Sequence, residues 1–168
     1  MFYNRISSFF QKFSPLINHQ FGFRENKNTE LATLDLLDKV LSAIKKKSYA
    51  ICVFLDYKAC FDTISRQILF RKLERYGVRG ISLDLVKSYY CNRKQYVQYN
   101  SCNSDVMLQE LGVVQGSKCG PLFFDIYSNE FSILCGNDEH VLYADDTCLI
   151  YVSDDLNALT RHVNRRLY

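Results

Sequence analysis

Apolar residues recur at Leu31, Leu34, Leu37, Leu41 and Ile44. Spacings of three and four predict an amphipathic helix over about residues 28–47, with these five on the buried face. Thr29 stands where an N-cap belongs, and Lys45, Lys46 and Lys47 suit the negative end of the helix dipole. Next comes AICVFLD, residues 50–56, a short apolar run ending in a carboxylate. That is the pattern of a buried strand carrying an acid to its tip. A second helix is expected with Ile64, Ile68, Leu69, Leu73 and Tyr76 on one face and Gly77 at its end, and a third over residues 81–90. Residues 95–99 and 106–111 read as paired strands around the polar turn 100–104. Pro121 marks the first turn of a helix running to about Leu134 and ended by Gly136-Asn137. Finally, the apolar runs 141–144 and 147–152 are separated by Asp145-Asp146 alone, the spacing of a two-residue hairpin.

No internal repeat, charge block or Gly/Ser linker interrupts this order. Mixed helices and strands in one run imply an α+β fold. The 168 residues suffice for one domain with a real core, and 12 Phe and 12 Tyr give it ample surface to bury, which argues against disorder. A net charge of +3 permits nucleic-acid binding without arguing for it. None of the seven cysteines forms a CxxC pair, so reduced thiols in an intracellular protein are expected. The N-terminal MFYNRISSFF lacks a signal-peptide core, and the longest apolar run, residues 50–55, is far too short to span a bilayer. No membrane partner is expected.

Tight hairpins prefer Asn-Gly or Asp-Gly, so two adjacent acids between strands break a local rule, and function is expected where such rules break. Two carboxylates ~4 Å apart repel by roughly 4 kcal/mol at an effective dielectric near 20. A divalent cation removes that cost, and Mg²⁺ favours hard carboxylate oxygens. With Asp56 at a neighbouring strand tip there are ligands for two ions, enough to stabilise both oxygens of an in-line phosphoryl displacement. A hydrophilic turn is the simpler reading of Asp-Asp taken alone.

The order of several motifs adds to this. Phe54-Leu55-Asp56 with Phe61-Asp62, then Gly112-Val113-Val114-Gln115-Gly116-Ser117 with Gly120-Pro121-Leu122, then Tyr143-Ala144-Asp145-Asp146-Thr147, resembles the reverse transcriptases. The resemblance is to those of non-LTR retrotransposons, in particular the jockey-like mobile elements. Gln20-Phe21-Gly22-Phe23-Arg24 with Asn28-Thr29-Glu30 is similar to that group's fingers motif. The resemblance implies an α+β polymerase palm over residues 50–168, an antiparallel sheet backed by helices, with partial fingers over residues 1–49. It implies that Asp56, Asp145 and Asp146 are the catalytic ligands of two Mg²⁺ ions, with Mn²⁺ as a substitute. Phe61 matches the aromatic gate that excludes a ribose 2′-OH, and Gln115 the residue touching the incoming sugar. Gly116 matches the close backbone approach to the base pair, Arg24 a grip on the triphosphate, and Tyr143 packing beneath the primer end. Val114, Ala59, Cys60, Cys119 and Asp125 depart from the group's usual Pro, Lys, Ala, Leu and apolar residue. None of these removes a metal ligand.

By the same resemblance the reaction is RNA-directed DNA synthesis, and the partners are an RNA template, a DNA primer and dNTPs. The thumb and the endonuclease of such an element are expected in other parts of a longer reading frame. A retrotransposon ribonucleoprotein works in cytoplasm and nucleus. The alternative is a non-catalytic relic or nucleic-acid-binding fragment of the same domain.

Overall fold

The apolar run after the first long helix becomes an edge strand in the computed structural model, which describes residues 2–13, 16–136 and 138–167. In chain order the elements are α1 (Phe2–Phe13), α2 (Thr29–Lys45), β1 (Tyr49–Leu55), α3 (Arg66–Arg75), α4 (Ile81–Tyr90), β2 (Lys94–Gln95) and β3 (Gln98–Tyr99). There follow β4 (Cys102–Asn103), β5 (Met107–Leu108), α5 (Cys119–Ser128), α6 (Phe131–Cys135), β6 (Glu139–Tyr143), β7 (Asp146–Ser153) and α7 (Leu156–Leu167). Helices and antiparallel strands are mixed along the chain, so the fold is α+β. They gather into two compact units, Met1–Pro15 with Ala59–Ser128 and Leu16–Lys58 with Asn129–Tyr168. These units cut across the boundary at residue 50 drawn from the sequence, because β1 pairs with β7 rather than with anything between them.

The second unit is a sheet of order β1-β7-β6, antiparallel throughout, between two helical layers. On one face Val141, Cys148 and Ile150 pack with Ala32 of α2. On the other, Leu149 and Tyr151 pack with Cys135 of α6 and Leu159 and Val163 of α7. Strand alternation sends successive residues of β7 to these two cores in turn. A parallel bridge between Gln20 and Leu142 extends the sheet by one short segment beside β6.

The first unit packs helices around Leu69, Leu73, Val86, Phe123 and Ile126, all but inaccessible to solvent. The amphipathic α1 joins it through Phe10, whose ring meets Tyr76 edge-on at 5.6 Å. Two short ribbons, β2 with β5 and β3 with β4, carry exposed residues on both strands. The second turns through Asn100 and Ser101, both at positive φ, the type I′ signature of a two-residue hairpin.

Several expectations are corrected. Asn28, not Thr29, caps α2, its side chain accepting from the Leu31 amide. The face expected to be buried is open to solvent, with Leu34 and Ile44 both 60% exposed. Small Ala32 and Ala43 turn inward instead, which lets α2 lie close to the sheet. Ile68 of α3 is likewise exposed. The single helix expected from Pro121 to Leu134 is two, α5 and α6. The break falls at Asn129, whose side-chain oxygen accepts from the Ile17 amide at 2.7 Å and so takes the residue out of the helical path. Gly136, at positive φ, follows α6, while Asn137 lies outside the described residues.

All seven cysteines are free, and burial pushes the Cys148 thiol up to about 11, with Cys52 across the strand pair adding to the shift. Exposed Cys91 and Cys102 will therefore be labelled by a maleimide in the folded protein, and buried Cys135 and Cys148 only on unfolding. Urea titration will show Leu73→Ala losing about 2–5 kcal/mol and Leu34→Ala staying within about 0.5 kcal/mol.

Candidate active site

The three aspartates nominated by the sequence all lie in the second unit, and strand register relates two of them. Leu55 pairs with Thr147 across β1 and β7. The ladder stops there: Asp56 follows the last residue of β1 and Asp146 is the first residue of β7, so both acids stand at the same end of the sheet. On its other side Asp146 pairs with Tyr143 at the end of β6. Alternation puts Asp146 and Tyr143 on the face that α2 covers farther along. At this end the face is open: Phe54, paired with Cys148, is 72% exposed.

The hairpin is shifted by one residue from the sequence expectation. Its two-residue loop is Ala144-Asp145, since Asp146 is already the first residue of β7. Ala144 has φ +56, the φ of the first position of a type II′ turn, which glycine usually fills. A side chain in that region costs about 1–2 kcal/mol, so the turn is held from outside. Asp145 is half-buried and Asp146 exposed. Among the described residues, none of Asp56, Asp145 and Asp146 has a side-chain hydrogen bond or ion pair. Hard oxygen donors without a protein partner at one sheet edge suit Mg²⁺ or Mn²⁺ by donor chemistry. They do not form a finished cage, because no three His, Cys, Asp or Glu side chains converge on one point among the described residues.

The segment that holds the turn is 19–22. Phe21 donates its amide to Leu142 O and Leu142 donates to His19 O, both at 2.8 Å. Gln20, 2% exposed, places its carboxamide against Ala144: Nε2 donates to Ala144 O at 3.1 Å, and Oε1 accepts from Ala144 N at 2.9 Å. The same Oε1 accepts from Gly22 N at 2.8 Å. A β carbon on Gly22 would lie 2.1 Å from Ala144 N, so only glycine fits this approach. Arg24, two residues on, is half-buried in the turns before α2.

Phe61, Gln115 and Gly116 lie in the first unit and share one cleft of ≈ 540 Å³, lined also by Val113, Val114 and Pro121. Phe61 stacks on Phe124 at 4.4 Å. Its carbonyl accepts from the Val113 amide, which ties the loop after Gly112 to the turn that carries Phe61. Gln115 is exposed and donates to Asp62 Oδ1 at 2.7 Å. Gly116 sits at φ +75 with open space where a β carbon would be, leaving the backbone bare toward the cleft.

Arg66 is the residue that sequence reading missed. Buried at the start of α3, it donates to the backbone carbonyls of Gly112, Leu111, Gln109 and Tyr90, with the guanidinium over the Tyr90 ring. One planar fork thus fixes the approach to the Gly112–Ser117 loop. The signal was present: an arginine in the first turn of a helix opposes the helix dipole and calls for another reason. Tyr90 itself is buried with no hydrogen-bond partner for its hydroxyl among the described residues, and burial pushes its ionisation far above the ordinary tyrosine range.

Comparison with known proteins decides the family. The sequence model of "Reverse transcriptase (RNA-dependent DNA polymerase)" matches residues 1–167. The chain belongs to the reverse transcriptase family. Within it, the chain is 29% identical to the "Probable RNA-directed DNA polymerase from transposon BS" of Drosophila melanogaster, over 98% of this chain and 19% of that one. It is 30% identical to the RNA-directed DNA polymerase from mobile element jockey of Drosophila funebris, over 91% of this chain and 18% of the relative. The resemblance to jockey-like elements of the non-LTR type therefore holds, and the reverse transcriptase chain spans about a fifth of the length of these curated relatives. A telomerase from Candida albicans, solved with a fragment of telomeric RNA, shares the fold with a TM-score of 0.60 at 16% identity, covering 97% of this chain and 31% of that chain. The likeness bears out the palm-like α+β architecture.

Removing the Arg66 fork leaves buried carbonyls without donors. Arg66→Ala is expected to cost about 2–4 kcal/mol in urea unfolding, and Arg66→Lys to recover less than half, since an ammonium cannot span four acceptors.

Proposed function

We propose that this reverse transcriptase domain carries out RNA-directed DNA synthesis, with Asp56, Asp145 and Asp146 as its catalytic carboxylates. The observation that carries the reading is that Asp56 and Asp146 stand at the same end of the β1–β7 ladder, both exposed and, among the described residues, without a side-chain hydrogen bond or ion pair. The primer's 3′-hydroxyl attacks the α-phosphate of a dNTP, and pyrophosphate leaves. Two divalent ions, Mg²⁺ or Mn²⁺, supply charge stabilisation to the attacking and leaving oxygens when bound. Asp56, just past β1, and Asp146, at the start of β7, hold one side of that site and Asp145 supplies the third carboxylate from the turn. Tyr143, level with Asp146, offers a ring for the primer end to rest on.

In the first unit, Phe61 walls the cleft with a ring fixed by Phe124, a barrier that a ribose 2′-OH meets and a deoxyribose does not. Gln115, kept extended by Asp62, reaches the sugar, and the bare backbone at Gly116 admits the base pair. Arg24 is assigned to the triphosphate, whose oxygens its planar fork matches. An RNA template and a DNA primer are the nucleic-acid partners in this reading. The thumb and endonuclease that complete such an element are the protein ones, and cytoplasm and nucleus are where it acts. The residues 1–49 serve as fingers and 50–168 as palm.

A metal held by the folded protein stabilises it by mass action, about 2.7 kcal/mol at a hundred times Kd. Mg²⁺ is therefore expected to raise the Tm of the wild type and to leave Asp145→Asn/Asp146→Asn unmoved; an equal rise in both would overturn the assignment. Template binding and primer extension, measured separately, distinguish the enzyme from a non-catalytic binding fragment. Extension that Asp146→Ala abolishes, with template binding intact, supports the enzyme.

A further inference from the structure

The proposed function uses the aspartates but says nothing of what aims them. Two facts make the aim a problem. Ala144 sits at φ +56 in a two-residue loop without a glycine, and Asp145 follows it directly. A turn of this kind has an easy way to relax, by returning Ala144 to negative φ, and that movement would swing Asp145 and unpair Asp146 from Tyr143.

The Gln20 carboxamide blocks that movement. Its oxygen takes the Ala144 amide hydrogen and its nitrogen gives one to the Ala144 carbonyl, at 2.9 and 3.1 Å. One side chain thus satisfies both backbone groups of the strained residue. A carboxamide carries both a donor and an acceptor at its end. Gln20 is in turn fixed: it is 2% exposed, bonded to Gly22 N, and its backbone lies in the parallel bridge to Leu142. The Lys27 ammonium, over the Phe21 ring at 4.6 Å, donates to Gln20 O at 3.0 Å and to Asn18 O. Gly22 closes the arrangement, its missing β carbon allowing the segment to rest on Ala144.

We propose that Gln20 is a positioning residue of the catalytic hairpin, its carboxamide locking the left-handed turn at Ala144 so that Asp145 and Asp146 are presented together to the metal. The inference rests on the reading of these aspartates as metal ligands. Groups that orient ligands without touching the ion typically change affinity by about 10–100-fold when removed.

The test uses the 168-residue chain with Mn²⁺ as probe, free Mn²⁺ being followed by electron paramagnetic resonance. Gln20→Met keeps length and burial while removing donor and acceptor, and Asp145→Asn serves as the ligand control. Each is measured well below its own melting temperature, so that both are folded. At least tenfold weaker Mn²⁺ binding in both variants is the expected result. Full affinity in Gln20→Met with weakened binding in Asp145→Asn overturns the inference and leaves the metal reading standing. Unchanged binding in Asp145→Asn overturns the metal reading instead, and with it the role in metal presentation. Amide exchange in the wild type decides the lock without any variant, should Gln20→Met fail to fold. The Ala144 amide, in a turn, is expected to exchange as slowly as its neighbours in β6. Exchange at the rate of an open loop would show that Gln20 locks nothing.

Discussion

The antiparallel pairing of β1 with β7 is the constraint on which the rest depends. Seven consecutive pairs, from Tyr49 with Ser153 to Leu55 with Thr147, bring together two stretches far apart in the chain. Because side chains alternate along a strand, the register fixes more than proximity. It decides that Phe54 and Cys148 face one way and Leu55 and Thr147 the other, and therefore which side of the sheet Asp146 takes. A slip of one residue would send every side chain of β1 to the opposite face, burying Phe54 against α6 and α7 and exposing Leu55. The two cores forbid that slip, since Ile51, Val53 and Leu55 pack against one cluster and Cys52 against the other. Apolar packing far along the sheet thus sets the position of two charges at its tip.

Much of this was legible in the sequence, for a physical reason. A buried strand has a short apolar run, and acids at its end stand out against it. The β1 and β7 runs and the aspartates were found that way, although β1 is a half-exposed edge strand rather than a buried one, and α3 was found from its helical spacing. What escaped was decided by packing partners that local pattern does not name. In α2 the leucine stripe Leu34, Leu37, Leu41 has regular helical spacing, yet the sheet accepts the side bearing Ala32 and Ala43. Periodicity reports that a helix has an apolar stripe, not which stripe a neighbour takes. For α1 the pattern Phe2, Ile6, Phe10, Phe13 was there but broken by serines and an arginine, and a helix was not expected. The α5–α6 break depends on Asn129 reaching Ile17, a contact across most of the chain that no window of sequence contains.

The hairpin loop teaches a similar lesson at the scale of one residue. Asp145-Asp146 looked like the loop because these two residues alone separate the apolar runs 141–144 and 147–152. The ladder instead continues through the Tyr143–Asp146 pair, which moves the loop to Ala144-Asp145 and leaves an alanine where glycine is preferred. A glycine there would relieve strain, but it would also free the turn to adopt other conformations. An alanine clamped by Gln20 has one. Backbone strain held in place by a buried side chain is a means of fixing geometry, and it occurs here immediately before the residues whose geometry matters.

The two compact units solve the same problem by separate means. In the second, a sheet edge and the Gln20 carboxamide define where two carboxylates stand. In the first, the Arg66 fork and the close packing of Gly112 against Asp62 define where the Val113–Ser117 loop runs. In both, a buried side chain binds backbone polar groups rather than other side chains, and so fixes the chain's path itself. That choice has a consequence for the exposed groups nearby. Asp56, Asp146, Gln115 and Gly116 are all open to solvent and contribute little to the core. Their positions are set by interactions elsewhere, so solvent-facing atoms can be chosen for chemistry without regard to folding. The uncompensated acids at the sheet edge are a cost to stability that the cores behind them absorb, and only a ligand of opposite charge returns it.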